Sequence, residues 1–153
     1  MEDSGSTIPQ EIITSLKNLF FQKGYPANTI SLLQKFNFYH NDLFFSFFLP
    51  ITITYEEKTL LILDYHPSKR GLSHLERPLI AIARLFFNPP PYYAILTNVE
   101  NFYCIEVYPQ IIKKGGAEVV PDFPDLLAYK PLDSKVFKKE IEEKILAFYL
   151  SGG

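Results

Sequence analysis

The chain has 153 residues, a length that suits one domain with a sizeable core. Its hydrophobic share of 47% is typical of a globular chain and argues against a disordered one. Fifteen Lys and Arg residues against 17 Asp and Glu residues give a formal net charge of -2, which excludes a basic field spread over the whole chain. Any contact with nucleic acid would therefore need a local basic patch.

A single cysteine, Cys104, limits the redox and metal chemistry of the chain. It excludes an intramolecular disulfide and a cysteine zinc site, and its alternating surroundings predict a buried, inert thiol. The N-terminus lacks the basic and apolar regions of a secretory signal. Residues 43–49 are strongly apolar, but a membrane-spanning helix needs roughly 20 residues. We therefore expect a cytoplasmic protein without a membrane segment, in which residues 43–49 belong to the core.

The N-terminal part of the chain predicts a helix. Residues 1–8 are mostly small and polar, which is typical of a frayed leader. Pro9 suits the start of a helix, and Glu11 in the first turn suits the positive end of the helix dipole. Apolar side chains recur at three- and four-residue spacing, so residues 9–22 predict an amphipathic helix that Gly24 ends.

Residues 30–38 contain a short apolar pattern in which helix and strand are hard to separate. We favour a short helix here, followed by a strand over residues 44–48, because Asn41 and Asp42 between them are typical turn residues. His40 lies in the turn region and has no partner nearby in the sequence. We expect it to be a surface histidine rather than a ligand.

Residues 51–65 predict the β-hairpin around which the domain is organised. Residues 51–55 favour β structure, a polar turn follows, and residues 60–63 are apolar on both faces, as in a central strand of a covered sheet. Asp64 and His66 then share one face, because alternate residues of a strand point the same way. An acid and an imidazole at the end of a buried strand could hold a metal, but they are also ordinary residues for ending a strand.

A second amphipathic helix follows the hairpin. Ser73 and Glu76 have the spacing of a capping box, ahead of an apolar pattern that runs to Phe87. Proline disrupts the interior of a helix but is tolerated in its first turn. Pro78 therefore predicts that the regular part of this helix begins near Pro78. His74 lies at this helix start, and we expect it to be exposed.

Two strands and an irregular segment come next. Residues 92–97 predict a buried strand, and residues 102–107 predict the returning strand of a hairpin around a turn at residues 98–101. Glycines and prolines over residues 115–131 indicate an irregular surface segment.

Residues 134–150 predict a C-terminal amphipathic helix that docks on the sheet, with Asp133 or Ser134 as its cap. The apolar side of this helix is expected to consist of Val136, Phe137, Ile141, Ile145, Leu146 and Tyr149. The order helix, strand, hairpin, helix, strand, strand, helix predicts an α/β or α+β domain, in which a central mixed β-sheet is flanked by helices. We expect residues 1–153 to form one domain.

This order resembles the N-terminal nuclease domain of the R subunit of type I restriction enzymes, a branch of the PD-(D/E)xK nucleases. The resemblance spans about residues 9–110 and depends on the order and spacing of four pieces. These are Gly24-Tyr25-Pro26, the strand over residues 59–67, the helix over residues 76–87, and Tyr92-Tyr93-Ala94-Ile95-Leu96-Thr97-Asn98 leading into Phe102. It implies a restriction endonuclease-like fold and DNA cleavage with a divalent metal. Two carboxylates at the ends of adjacent strands hold the ion, and a lysine polarises the attacking water.

Carried over residue by residue, the resemblance places the second metal carboxylate on Asp64 and a helical glutamate on Glu11. Four other positions, for the first carboxylate, the lysine, a glutamine and a tyrosine, hold Ile51, His66, Pro78 and Ile82. A histidine is mostly uncharged at neutral pH and gives a phosphate much less positive charge than a lysine. Asp42, Glu56 or Glu57 could replace the missing carboxylate, although either glutamate would need a one-residue shift in register.

We therefore favour a nuclease-like domain with a degenerate active site, catalytically inactive, that acts as a nucleic-acid-associated or protein-interaction module. DNA contact would come from Lys69, Arg70, Arg77 and Arg84. The competing interpretation of these four side chains is an ordinary solvated face. A protein partner or a homodimer would also suit the high aromatic content.

Two alternatives remain. One is an active DNA endonuclease with a rewired site, in which Glu11, Asp64 and His66 share one divalent ion. Mg²⁺ is the usual ion of such a site, but imidazole with carboxylates would favour Mn²⁺ or another transition metal. The other alternative is an unrelated ligand-binding α/β domain, whose tyrosine-rich strands line a pocket.

Overall fold

The computed structural model describes residues 8–131 and 137–152. Its helices are α1 (Gln10–Gln22), α2 (Glu76–Phe86), α3 (Phe123–Ala128) and α4 (Lys139–Leu150). Its strands are β1 (Ile30–His40), β2 (Leu43–Tyr55), β3 (Lys58–Tyr65), β4 (Tyr93–Thr97), β5 (Phe102–Glu106) and β6 (Ile112–Gly115).

The strands of the described residues form one sheet in the order β1-β2-β3-β4-β5-β6. Neighbouring strands run antiparallel, except that β3 and β4 are parallel. Parallel neighbours need a crossover connection, and α2 supplies it. The predicted class, an α+β fold with a central mixed sheet and flanking helices, is confirmed.

Each face of the sheet has its own apolar core. Ile51 of β2, Leu63 of β3 and Ile95 of β4 are neighbours in the strand register and pack with α1 on one face. Ile62 and Ala94 point to the other face, where α2 and α4 pack. Successive residues of a strand point to opposite faces, so the two cores are separate. α1 and α3 cover the first face, the latter through Phe123 and Leu126, and α2 and α4 cover the second.

The predicted hairpin of residues 51–65 is confirmed. Leu61, Ile62 and Leu63 of β3 are fully buried, as expected for the central strand of a sheet covered on both faces. The turn between β2 and β3 has Glu56 and Glu57 at positive φ, 50° and 68°. Two central residues with positive φ give the hairpin turn whose twist matches that of the flanking strands.

The expected short helix over residues 30–38 is wrong, because these residues belong to β1. They pair with β2 from Ile30 opposite Ile53 to His40 opposite Leu43. The apolar residues in this segment are spaced as in a helix, but pairing along the whole strand decides the structure. The expected strand over residues 44–48 is one part of the longer β2.

β1 and β2 continue beyond the end of β3 as a two-stranded ribbon, which we define as residues 34–49. Pairing of β2 with β3 ends at Ile51 opposite Leu63, whereas pairing with β1 continues to the turn. One face of the ribbon packs its aromatic rings on Phe86 of α2 through Phe36, Phe38 and Phe47.

Residues 43–49 were expected in the core, and only part of this expectation holds. Leu49 is fully buried, but Leu43 and Phe44 near the ribbon tip are exposed. His40 ends β1, half-buried, with its ring stacked on that of Phe38. Within the described residues, no helix is both long enough and apolar enough to cross a membrane.

The sequence signals for helix ends hold for α1 and only partly for α2. α1 begins after Pro9, and Gly24 follows it with φ of 88°. Pro78 lies in the first turn of α2, whose start has no side-chain capping bond, so the capping box of Ser73 does not form. Residues 1–7 of the expected leader and the expected caps Asp133 and Ser134 lie outside the described residues. The C-terminal helix, expected over residues 134–150, begins later than predicted: Phe137 and Lys138 are not helical, and α4 starts at Lys139.

The segment expected to be irregular, residues 115–131, is more regular than predicted. β6 ends at Gly115, and α3 follows with Pro124 in its first turn. A proline in the first turn is a normal helix start, because that position has no intrahelical use for its N–H. Glycines and prolines alone therefore misled the prediction.

Candidate functional site

The end of β3 brings Asp64 and His66 together with α2 and α4. Asp64 pairs with Leu96, which belongs to the core under these two helices. The His66 backbone N–H donates to the Thr97 carbonyl at 2.9 Å, so the strand register continues one residue past Tyr65. The His66 ring is 6.4 Å from that of His74, just before α2.

The carboxyl of Asp64 is in an environment that suppresses its charge. Its Oδ1 accepts a hydrogen bond from the Tyr65 backbone N–H at 2.9 Å, which favours the charged form. Burial acts more strongly and raises the pKa of Asp64 to about 7. Tyr149 of α4 lies nearby; burial raises its pKa, and the charge of Asp64 raises it further. Near neutral pH, Asp64 is thus only partly ionised.

His66 is in a similar situation, because its neutral form is also favoured. Burial lowers the pKa of His66, and the neighbouring His74 lowers it further. Its Nδ1 is buried and has no hydrogen-bond partner among the described residues. His66 therefore does not supply the positive charge that a lysine would place beside a phosphate. His74 is exposed, as predicted, but its closeness to His66 was not visible in the sequence.

Glu11 lies on the other face of the sheet. It is exposed near the start of α1, and α1 packs through Leu16 and Phe20 on the face that carries Ile51 and Leu63. Asp64 points to the opposite face. Glu11, Asp64 and His66, which the active-nuclease alternative requires around one ion, are therefore not brought together.

The remaining acids do not complete a metal site. Glu56 and Glu57 form the turn at the opposite end of β3 from Asp64, and Asp42 lies in the turn at the ribbon tip. Within residues 8–131 and 137–152, no three His, Cys, Asp or Glu side chains are grouped so that they could hold a metal ion. The residues present at the end of β3 do not fit Mg²⁺, which needs ionised carboxylates.

Three positions that would carry nuclease chemistry are used for packing instead. Ile51 is fully buried on the α1 face, and Pro78 and Ile82 are buried in α2 on the other face. A cleft of about 390 Å³ runs between α2 and α4 beside His74. Its lining consists of His74, Pro78, Lys144, Ile145, Phe148 and Tyr149. α4 thus lies over the surface at the end of β3.

A buried ion network fixes α4 on α2. Glu142 of α4 is 3% exposed and accepts hydrogen bonds from Arg77 at 2.6 Å and from Arg84 at 3.1 Å. Arg84 also donates to the Val107 carbonyl at 2.6 Å, and its guanidinium lies 3.8 Å from the ring centre of Phe137.

This network corrects the expected role of two arginines. We expected Arg77 and Arg84 to face phosphate or solvent, but both are directed at Glu142, and the Arg84 side chain is only 6% exposed. Of the expected basic patch, Lys69 and Arg70 remain exposed.

The apolar side of α4 also differs from the prediction at one turn. Ile141 was expected to face the sheet, but it is 48% exposed, and Glu142 is buried in its place. Glu142 precedes Ile145 by three residues and Leu146 by four, so it lies in the helical apolar stripe. An acid in that stripe was the signal that could have identified it.

A second cavity, of about 540 Å³, lies beside β4, β5 and β6. Its lining is mostly charged: Lys23, Tyr93, Cys104, Glu106, Lys113, Glu118, Val119, Val120, Pro121, Asp122 and Asp125. Several of these groups already have partners, since Lys23 pairs with Asp122 and the Tyr129 hydroxyl donates to Glu106 at 2.6 Å. Cys104 is buried, as predicted, and burial raises the pKa of its thiol to about 12.

Comparisons of the chain with protein-family models, with curated proteins and with solved structures found no match.

Proposed function

We propose that this chain is a nuclease-like domain that does not cleave DNA and that acts as an interaction module. The observation that carries the proposal is the state of the end of β3. Asp64 and His66 both favour their neutral forms there, α4 packs beside them, and Glu11 lies on the other face of the sheet.

The arrangement of the elements supports the nuclease-like part of this proposal. The chain order on which the resemblance rests is a helix, an antiparallel hairpin, a crossover helix and a further strand. In the structure, α1 is followed by antiparallel β1, β2 and β3, and α2 then leads to β4, parallel to β3. Asp64 lies at the end of the strand that would carry the second carboxylate.

The chemistry of DNA cleavage is what this site lacks. A divalent ion needs hard, ionised oxygen ligands, and the phosphate needs a nearby positive charge. The position of the first carboxylate is Ile51, which is buried under α1, and His66 stands where a lysine is needed. Asp64 alone provides one partly ionised carboxyl, which is too little for the reaction.

The exposed basic groups favour a protein partner over nucleic acid. Because Arg77 and Arg84 are paired with Glu142, Lys69 and Arg70 are the residues of the expected patch that could still reach phosphates. Each phosphate contact contributes about −0.9 to the slope of log K against log salt on duplex DNA. Two contacts would give a slope of about −2 and weak binding.

A cleavage assay tests the loss of activity. Plasmid DNA and single-stranded DNA are incubated with the protein and Mg²⁺ or Mn²⁺, using wild type, Asp64→Asn and, as a matched control, Glu100→Gln in an exposed turn. We expect no cleavage above buffer in any of them. Metal-dependent cleavage by wild type and the control, but not by Asp64→Asn, would contradict the proposal.

Fluorescence anisotropy with labelled duplex DNA tests the choice of partner. We expect weak or absent binding, and any residual binding should disappear in the Lys69→Ala, Arg70→Ala double variant. A salt slope much steeper than −2 would reveal a phosphate-binding surface that the proposal does not include.

A further inference from the structure

Residues 43–49 of β2 read Leu-Phe-Phe-Ser-Phe-Phe-Leu, the same in both directions about Ser46. If two copies of this segment pair antiparallel across a two-fold axis at Ser46, every residue lies opposite a residue of its own type. Ser46 meets Ser46 of the other copy, and Phe44 meets its Phe48. The sequence is thus self-complementary for antiparallel pairing with itself.

The edge of β2 that such pairing needs has no strand partner along this segment, and it is accessible over residues 43–48, because Leu49 is fully buried. β3 pairs with β2 only over Ile51 to Tyr55, whereas residues 43–49 pair with β1 on the other side. In the described part of the chain, β1 is the only strand that pairs with residues 43–49, and no other backbone groups bond to them. Unpaired backbone groups at a strand edge are a template for another strand.

The two outermost strands of the sheet are less suited to such pairing. β6 is short and carries Lys113 and Lys114, both exposed, and short strands with lysines protect an edge against pairing. β1 carries Lys35 and is interrupted at Leu33, which has positive φ of 52° and drops out of the register. Residues 43–49 contain neither a charge nor a proline.

The exposed aromatic side chains at the ribbon tip are suited to pairing with a second copy of the same segment. Phe44 is 55% exposed, and the Phe48 ring of a second copy would lie opposite it. On the inner face, Phe45 would meet Phe47 of the second copy, next to the aromatic cluster on Phe86. Cross-strand aromatic pairs of this kind add about 0.5–1 kcal/mol each.

We infer that two copies of this chain associate through residues 44–48 of β2, with a two-fold axis at Ser46, so that the two ribbons form one four-stranded sheet. The inference goes beyond the proposed function and does not rest on it, because it depends on the ribbon edge and not on the end of β3. A two-fold contact uses the same patch on both copies and closes on itself.

The first test measures the molar mass in solution over a wide range of protein concentration, for wild type, Ser46→Lys and Ser46→Glu. Ser46 is exposed, so both variants should keep the fold, and circular dichroism checks this. Wild type should be in monomer–dimer equilibrium. Each variant places like charges face to face at the axis and should raise the dissociation constant about tenfold or more. An equal mixture of the two variants should restore the dimer.

Cross-linking gives an independent readout with a matched control. In Ser46→Cys, the new thiols of the two copies face each other, and mild oxidation should give a disulfide-linked dimer. In Phe44→Cys, the two thiols lie four residues apart along the paired strands, about 14 Å at ~3.4 Å per residue, which is too far for a disulfide. Wild type should not cross-link, since Cys104 is buried.

Three results would overturn the inference. One is a monomer at every concentration without cross-linking of Ser46→Cys. Another is a dimer that neither charged variant weakens, which would place the contact on another surface such as the edge of β1. The third is equal cross-linking of Ser46→Cys and Phe44→Cys.

Discussion

The end of β3 and the ribbon differ in how chemistry and exposure are combined. Asp64 and His66 are the residues that a reaction could use, but burial favours the neutral form of each, and α4 lies beside them. The ribbon is apolar apart from Ser46 along residues 43–49, and Tyr39 and Phe44 are 69% and 55% exposed at its tip. The comparison teaches that reactive residue types do not by themselves mark a functional surface, whereas exposed apolar side chains beside unpaired backbone groups indicate where another strand could bind.

The largest predicted effect comes from removing the carboxylate that holds α4 over the end of β3. Glu142→Ala leaves Arg77 and Arg84 with no shared acid, and a broken buried ion pair costs about 3–5 kcal/mol. Urea unfolding measures the loss of free energy of unfolding. The control is Glu143→Ala, whose carboxylate is 4.0 Å from Lys139 and should matter little. Equal losses in the two variants would contradict the role of this network.

The next prediction compares alanine substitutions on the packed face of the ribbon and at its exposed tip. Phe36 contacts Phe47, Phe86 and Phe87, so Phe36→Ala should lower the free energy of unfolding by about 2–3 kcal/mol. Phe44→Ala should cost the monomer less than about 0.5 kcal/mol, because this side chain is exposed. Unfolding at low protein concentration measures both. A large loss for Phe44→Ala in the monomer would show that the ribbon tip is needed for the fold.

A smaller effect concerns the charge of Asp64. Its pKa is about 7 in the folded protein and about 3.9 in an unfolded chain, so between these values the folded state binds more protons. Stability should therefore fall as the pH rises from about 4 to about 7. Asp64→Asn should lose this dependence and be more stable than wild type above pH 7. Urea midpoints across this pH range provide the test, with Asp42→Asn in an exposed turn as the control. If the free energy of unfolding depends on pH in the same way in wild type and in Asp64→Asn, burial does not raise the pKa of the Asp64 carboxyl.

Local signals in the sequence predicted those parts of the fold that depend on local spacing. The helix after Pro9 and the hairpin of residues 51–65 follow from periodicity and turn residues. β1 was missed because Leu32, Leu33 and Phe36 have a spacing that also fits a helix. Only its long-range pairing with β2 decides the matter.

The site was predictable only to the extent that it lies on one strand. Asp64 and His66 are two residues apart, and the period of a strand is enough to place them on one face. The side of the sheet that α1 covers, and so the position of Glu11, depends on tertiary packing. The pairing of Glu142 with Arg84 joins residues 58 positions apart, and no local pattern reports such a contact.

The most direct test of the account is a thermal-unfolding titration with Mg²⁺ and Mn²⁺, comparing wild type with Asp64→Asn. A ligand that binds only the folded state raises the unfolding temperature with its concentration. We predict that neither ion shifts the wild-type transition more than that of the variant, because the end of β3 does not assemble a metal site. A metal-dependent rise in the unfolding temperature of wild type that is lost in Asp64→Asn would contradict the account. It would show that the end of β3 binds an ion, and it would support the alternative of an active nuclease.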